Sequence, residues 1–258
     1  MCRLLGVVAN KPVDLHFSLD RFKQFAAGNP DGWGVGWYED SLASVFKRGM
    51  TATSPASQFN KVSKDVSSKI IVAHVRKGTK GEPSERNSHP FSCKNWLFAH
   101  NGSVDGSVLL GLLSPQMKKE IEGETDSEPF FYYILQNIEE CNNVVEGIRS
   151  AVNTVVSKSH TGLNFLLSDG QSIFALRYAS DSRSYYSLYR LKRKPSCRDP
   201  FEFRSRETGA LLRSKSLRGE SAVLVCSEKL TEEDWKEIGW GNLLCVGPGL
   251  EPEEIPVL

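Results

Sequence analysis

No stretch of this sequence runs apolar and uninterrupted for the ~20 residues that a membrane-crossing helix needs, so no membrane partner is expected. Charge of one sign is missing as well. Lys and Arg number 32 against 31 Asp and Glu, a net charge of +1, and so even a balance points to neither nucleic acid nor a lipid surface. The polar, charged start lacks the basic-then-apolar layout of a secretory leader, which makes a cytoplasmic location the expectation. The six cysteines, at positions 2, 93, 141, 197, 226 and 245, contain no C-x-x-C pair and no regular spacing. Free thiols, most of them small core residues, are therefore expected in place of disulfides. The five histidines show no ligand spacing with those cysteines, so neither a metal nor a cofactor is expected. Internal repeats are absent too.

What is present is enough apolar material, 40% of 258 residues, to bury one large core, and a single domain over residues 1–258 is expected. One segment departs from the balance: residues 190–218 hold ten basic side chains against three acidic ones. With Pro195, Pro200 and several serines, residues 192–218 read as a long, mobile basic insertion, or otherwise as a docking site for an anionic partner.

Periodicity organises the rest. Residues 3–9 form a compact apolar run closed by Asn10-Lys11-Pro12, a buried strand at the very start of the chain. A helix is expected over 15–26, with Asp14 as its N-cap, and a hairpin over 33–38 and 42–47 around Glu39-Asp40-Ser41. Strands at 70–75 and 95–99 follow, then helices at 126–140 and 142–156, then strands at 163–167, 172–177, 185–191, 222–226 and 243–246. Strands, helices and strands in that order, without steady alternation, indicate an α+β fold with mostly antiparallel sheets.

Cys2 carries the first chemical signal. Initiator methionine is generally removed before a small side chain, and Cys2 would then own a free α-amine with a pKa of about 8, close enough to neutral to accept the thiol proton. The strand that follows would hold this nucleophile on a rigid element. Asn101-Gly102, after the strand ending at His100, offers a side-chain amide and an unhindered N–H for an oxyanion, although such a pair is also an ordinary turn. A glutamine substrate brings a carboxylate and an ammonium. Arg76 could clamp the first, with Thr79 adding a hydroxyl, and Asp126 could pair with the second; a surface arginine and a helix N-terminal aspartate are the bland alternatives.

The ordered motifs Met1-Cys2-Arg3-Leu4-Leu5-Gly6, Asn29-Pro30-Asp31-Gly32-Trp33-Gly34, Ala73-His74-Val75-Arg76-Lys77-Gly78-Thr79, Asn87-Ser88-His89-Pro90-Phe91, His100-Asn101-Gly102 and Gly123-Glu124-Thr125-Asp126 together resemble the class II glutamine amidotransferases. The likeness is to the stand-alone branch that includes YafJ-like proteins and γ-glutamyl hydrolases, and Ser227-Glu228-Lys229-Leu230-Thr231 with Trp235 is similar to that branch's C-terminal signature. The resemblance implies an N-terminal-nucleophile (Ntn) hydrolase αββα sandwich, with Cys2 as nucleophile and its α-amine as base. It implies Asn101 and Gly102 as oxyanion donors, Arg76 and Thr79 at the substrate carboxylate, and Asp126 at the substrate amine. His74, His89 and His100 are expected to hold hydrogen bonds around the site. The partner is then glutamine or a γ-glutamyl compound; a separate acceptor or peptidase subunit and a homo-oligomer stay open. Lys77-Gly78 departs from the bulky Trp that synthase-linked members place after the arginine. Two competing readings remain: a binding module of the same fold, and a Cys-His enzyme built on Cys93 and His89.

Overall fold

The computed structural model describes residues 2–14, 22–194, 201–204, 211–214 and 221–258. Alternation along the strands decides its layers. In β1 (Arg3–Asp14), Leu4 and Val8 turn to one side, and Leu5, Val7 and Ala9 to the other; both sides are buried, which is why the run reads as continuously apolar. The first sheet adds β2 (Gly32–Glu39), β3 (Leu42–Arg48), β4 (Ser67–Arg76), β9 (Tyr189–Arg193), β12 (Ala222–Cys226) and β13 (Lys236–Glu237), in the order β13-β9-β12-β1-β4-β2-β3. The first strand in sequence is thus central, flanked by β12 and β4.

A second sheet holds β5 (Phe91–Cys93), β6 (Trp96–Asn101), β7 (Asn164–Ser168), β8 (Ile173–Leu176), β14 (Asn242–Val246) and β15 (Pro252–Pro256), in the order β15-β14-β8-β7-β6-β5. Every strand pairing in both sheets is antiparallel. Leu4, Val8, Ile70 and Val72 of the first sheet meet Leu97, Ala99, Leu166 and Ala175 of the second. Behind the first sheet, Leu5, Val7 and Ile71 pack on Phe22 and on Phe59 and Val62 of α1 (Phe59–Asp65). Two short helices, α2 (Gly106–Leu112) and α3 (Pro115–Lys119), lead to α4 (Ser127–Cys141) and α5 (Val144–Val156). Phe130, Phe131 and Ile134 of α4 and Ile148 and Val152 of α5 cover Phe98, Phe165 and Leu176, each burial contributing roughly 1.5–3 kcal/mol. The result is the αββα sandwich expected from the sequence.

Boundaries differ where polar partners intervene. β1 does not stop at Asn10; a register irregularity between Val8 and Val13 absorbs Asn10-Lys11-Pro12, and Asn10 exchanges two hydrogen bonds with Ser221, so the strand continues to Asp14. Asp14 is a strand end paired with Ser67, and its expected capping role falls on a helix start outside the described residues. Of the helix expected over 15–26, residues 15–21 lie outside the described residues, 22–24 are helical, and Phe25–Gly28 is a 3-10 turn. The strand expected from Tyr185 starts only at Tyr189, because Ser182, at φ 55°, turns the chain and its carbonyl accepts from the Tyr185 N–H. The hairpin turn is as expected, two residues with positive φ, Asp40 and Ser41.

The five described cysteines are free, but only Cys226 is a buried core residue. That corrects the expectation for most of them. The basic segment is also less uniform than its composition. Lys192 and Arg193 belong to β9 and pair with Glu251 and Glu233, and β10 (Phe201–Arg204) forms an antiparallel ladder with β11 (Leu211–Ser214). Because β9 and β12 are direct neighbours, the chain between them leaves and returns at one place on the sheet. Residues 195–200, 205–210 and 215–220 lie outside the described residues, and with them the expectation of mobility. Among the described residues no helix is long and apolar enough to cross a membrane.

Candidate active site

The same parity that builds the core gathers the polar residues at one end of the seam between the sheets. On β4, Ile70 and Val72 face the seam, so His74 does too; on β6, Leu97 and Ala99 do, and so does Asn101. His74 and Asn101 accordingly meet, Nε2 to Oδ1, at 3.2 Å. Asn101 Nδ2 donates to the Cys2 carbonyl at 2.8 Å and to Ser227 Oγ at 3.2 Å. Ser227 Oγ also accepts the Leu4 N–H at 3.0 Å, and the Ser227 N–H donates to the Leu4 carbonyl at 3.1 Å. The start of the chain is thereby tied to the loop after β12 and to the end of β6. Arg3 adds an ion pair with Glu228.

The Cys2 thiol is half-buried and accepts the Lys77 N–H at 3.1 Å. Burial pushes its pKa up, while that N–H and the Arg76 guanidinium pull it down, and burial wins. The resting sulfur is therefore a thiol, and its proton must be removed as it reacts.

Gly102 lies at φ +145°, and a Cβ there would come 1.8 Å from the Gly162 carbonyl oxygen, so only glycine fits. Among the described residues no protein acceptor takes its N–H. Arg76 is not the surface arginine of the alternative reading, being only 2% exposed. It forms no ion pair among the described residues; its guanidinium donates to the carbonyls of Lys80 at 2.6 Å and Gly81 at 2.8 Å, and more weakly to that of Asp31. Asp31 carries this loop further, its carboxylate accepting the Gly78 N–H at 2.8 Å. A Cβ at Gly78 would meet the Arg76 guanidinium at 2.9 Å, which accounts for the small residue after Lys77.

Asp126, 6% exposed, occupies the N-cap position of α4 yet caps nothing. Its Oδ2 accepts the Val104 N–H at 3.2 Å and lies 3.4 Å from Lys80 Nζ. Thr79 is exposed, with its hydroxyl 3.4 Å from that of Ser103.

The histidines divide. A carbonyl oxygen only accepts, so the protons sit on Nε2 of His74, facing Asn101, and on Nε2 of His100, facing the Gly162 carbonyl at 3.1 Å; His100 Nδ1 then accepts from Ser127 Oγ at 2.9 Å. Both hold hydrogen bonds as expected. His89 does not: neither ring nitrogen has a partner, and the ring lies between those of His74, 4.3 Å away, and Phe91, 4.6 Å away. That corrects the hydrogen-bonding role, and it also leaves the Cys93–His89 pair unformed. A cleft of about 890 Å³ does open beside Cys93, Phe91, Met117 and Tyr132, but none of the expected site residues lines it. Burial holds His74 down at about 3 and also lowers His89 and His100, although Asp126 partly offsets the effect at His100.

These three rings make stability pH-dependent in a defined direction. Each folded-state pKa lies below the ordinary value of 6.5, so beneath that value the unfolded chain binds protons that the folded one refuses. Stability should be complete above pH 6.5 and fall steadily toward pH 4. Urea midpoints measured from pH 7.5 to 4 test this; a midpoint that stays level between pH 6.5 and 4.5 would contradict it.

The sequence singled out neither Ser227 as a partner of Asn101 nor the Lys77 N–H as a partner of the thiol, nor Lys80 against Asp126. Ser227 was within reach, since it opens the C-terminal motif; a backbone N–H and an unremarkable lysine carry no sequence signal. Among the described residues no group of three or more His, Cys, Asp or Glu side chains is placed to hold a metal ion.

Two antiparallel sheets stacked between helical layers, with the central strand opening on a thiol at the end of their seam, define the Ntn-hydrolase class of fold. The chain belongs to the class II glutamine amidotransferases, whose family description matches residues 1–254. The YafJ protein of Escherichia coli is 30% identical over 274 residues, spanning 96% of this chain and 98% of that protein. A γ-glutamyl-hercynylcysteine sulfoxide hydrolase of Mycobacterium tuberculosis is 38% identical over 122 residues, which is 42% of this chain and 52% of that one. The solved structure of a glutamine aminotransferase class-II domain protein from Silicibacter pomeroyi shares the fold, with a TM-score of 0.66 at 21% identity and 99% of both chains covered.

Proposed function

We propose that this protein, acting as a single domain, cleaves the γ-amide of glutamine or of a γ-glutamyl compound, with Cys2 as nucleophile after loss of Met1. The observation that carries the reading is the anchoring of Cys2 at both ends: its carbonyl takes the Asn101 amide and its thiol takes the Lys77 N–H, at the head of a strand paired on both flanks. A thiol whose pKa burial raises needs a base at the moment of attack, and an α-amine near pKa 8 on the same residue supplies one without a further side chain.

The sulfur attacks the δ-carbonyl as its proton passes to the amine. The oxyanion takes the Gly102 N–H and one hydrogen of the Asn101 amide, for which Asn101 gives up its longer bond, to Ser227. Collapse breaks the C–N bond, and the α-ammonium protonates the leaving ammonia or amine. Water, deprotonated by the freed amine, then attacks the thioester and releases glutamate or a glutamyl product. Arg76 and Thr79 receive the substrate carboxylate and Asp126 its ammonium. His74 and His100, held neutral, orient Asn101 and the start of α4 and transfer no proton. The ammonia or amine leaves to solvent or to a separate acceptor subunit.

The likeness to the mycobacterial hydrolase favours a γ-glutamyl conjugate over free glutamine as the physiological substrate. Intact mass together with glutamate release from glutamine and from γ-glutamyl amides tests both points: the expected protein lacks Met1 and turns over at least one of them. Full activity in a preparation that still carries Met1 would overturn the mechanism.

A further inference from the structure

One residue satisfies both charged groups that the reading above assigns to the substrate. The Lys80 backbone carbonyl, with that of Gly81, takes an Arg76 Nη2 hydrogen bond at 2.6 Å, and the Lys80 ammonium stands 3.4 Å from the buried Asp126 carboxylate. A γ-glutamyl substrate presents a like ammonium to Asp126, and to Arg76 a carboxylate in addition to the neutral backbone carbonyls that now hold it. Lys80 Nζ is half-exposed and Asp126 is not, so the pair is a mobile cation resting on a fixed anion. The lysine can leave at small cost, whereas the carboxylate stays buried and needs a cation in its place.

We infer that Lys80 is an internal competitor for the α-ammonium of the substrate, and so sets the apparent affinity of the site. It rests on the assignment of Arg76 and Asp126 as substrate contacts. Binding exchanges one ammonium for another on Asp126: the arriving α-ammonium pairs with the carboxylate and Lys80 swings to solvent. A half-exposed ion pair sets the size of the effect, which is roughly two- to fivefold in KM. Substrates without an α-ammonium do not need the exchange and are indifferent to it.

The test is steady-state hydrolysis by the wild type, Lys80→Met, Asp126→Asn and the double variant, with glutamine and with glutaramate, the same carboxylate and amide without the amine. Lys80→Met is expected to lower KM for glutamine about two- to fivefold with kcat within twofold of wild type, and to leave KM for glutaramate unchanged. Asp126→Asn should raise the glutamine KM at least tenfold, and in that background Lys80→Met should have no further effect. An unchanged or raised glutamine KM in Lys80→Met, or an equal fall for both compounds, overturns the competitor role while leaving the site assignment standing. If Asp126→Asn leaves the glutamine KM as it was, the assignment of Asp126 itself fails. Thermal melts of all four proteins separate these outcomes from loss of fold.

Discussion

Cys2→Ala is expected to lower release of glutamate by about 10³-fold or more, with little change in the melting temperature. The asymmetry follows from what the side chain does. Its thiol accepts the Lys77 N–H and donates, at 3.4 Å, to the Lys77 carbonyl, contacts worth about 1 kcal/mol each at most, whereas Leu4, Leu5 and the strand pairing beyond them hold the fold. In the proposed mechanism, by contrast, cleavage begins with the bond from that sulfur to the substrate carbon. A companion variant separates the thiol from its base: a chain with an uncleavable residue before Cys2 keeps the sulfur but turns the α-amine into an amide. It should lose activity nearly as far as Cys2→Ala, because an amide nitrogen accepts no proton at neutral pH. If Cys2→Ala released glutamate at the wild-type rate, the nucleophile would have to be sought elsewhere; if the blocked chain did, the base would.

Asn101→Ala should be the second largest loss, about 10²–10³-fold in kcat with KM moved far less, the cost of removing one preorganised oxyanion donor. Unlike Cys2→Ala it should also weaken the fold. The Cys2 carbonyl and the Ser227 hydroxyl each lose one of two partners, keeping Arg3 Nη1 and the Leu4 N–H, while the Nε2–H of a fully buried His74 loses the one it has. A buried donor left unpaired costs about 1–3 kcal/mol, so a lower urea midpoint should accompany the kinetic defect. Turnover within tenfold of the wild type would remove Asn101 from the oxyanion site, whatever happened to stability.

The strands were legible where period and burial agreed. β12 coincides with the expected 222–226, and β2, β3 and β14 lie within one residue at each end, because each is an alternating or buried run closed by turn residues. Misplacements arose where a polar side chain extends a ladder, as Asn10 does with Ser221, or where a single positive φ at Ser182 delays one. The hairpin of β10 and β11 lay hidden inside a segment whose charge resembles that of a solvated loop. At the site, residue types with distinctive chemistry stood out, and parity along β4 and β6 brings His74 and Asn101 together as the spacing implies. His89 misled because a histidine inside a motif invites a hydrogen bond, while this one is packed as an aromatic ring between His74 and Phe91. Lys80 escaped because nothing in the sequence tells which carboxylate a lysine rests on.

Chain ends are ordinarily the first part of a protein to fray and the last to matter for its core. Here the opening residues form the middle of a seven-stranded sheet whose two neighbours come from residues 67–76 and 222–226, so they find their places only after nearly the whole polypeptide has been synthesised. An incomplete chain carries the same cysteine without the β12 ladder on one flank of its strand and without the Ser227 hydroxyl that takes the Leu4 N–H. In the mechanism proposed above, the nucleophile is thus aimed only once the sheet is complete.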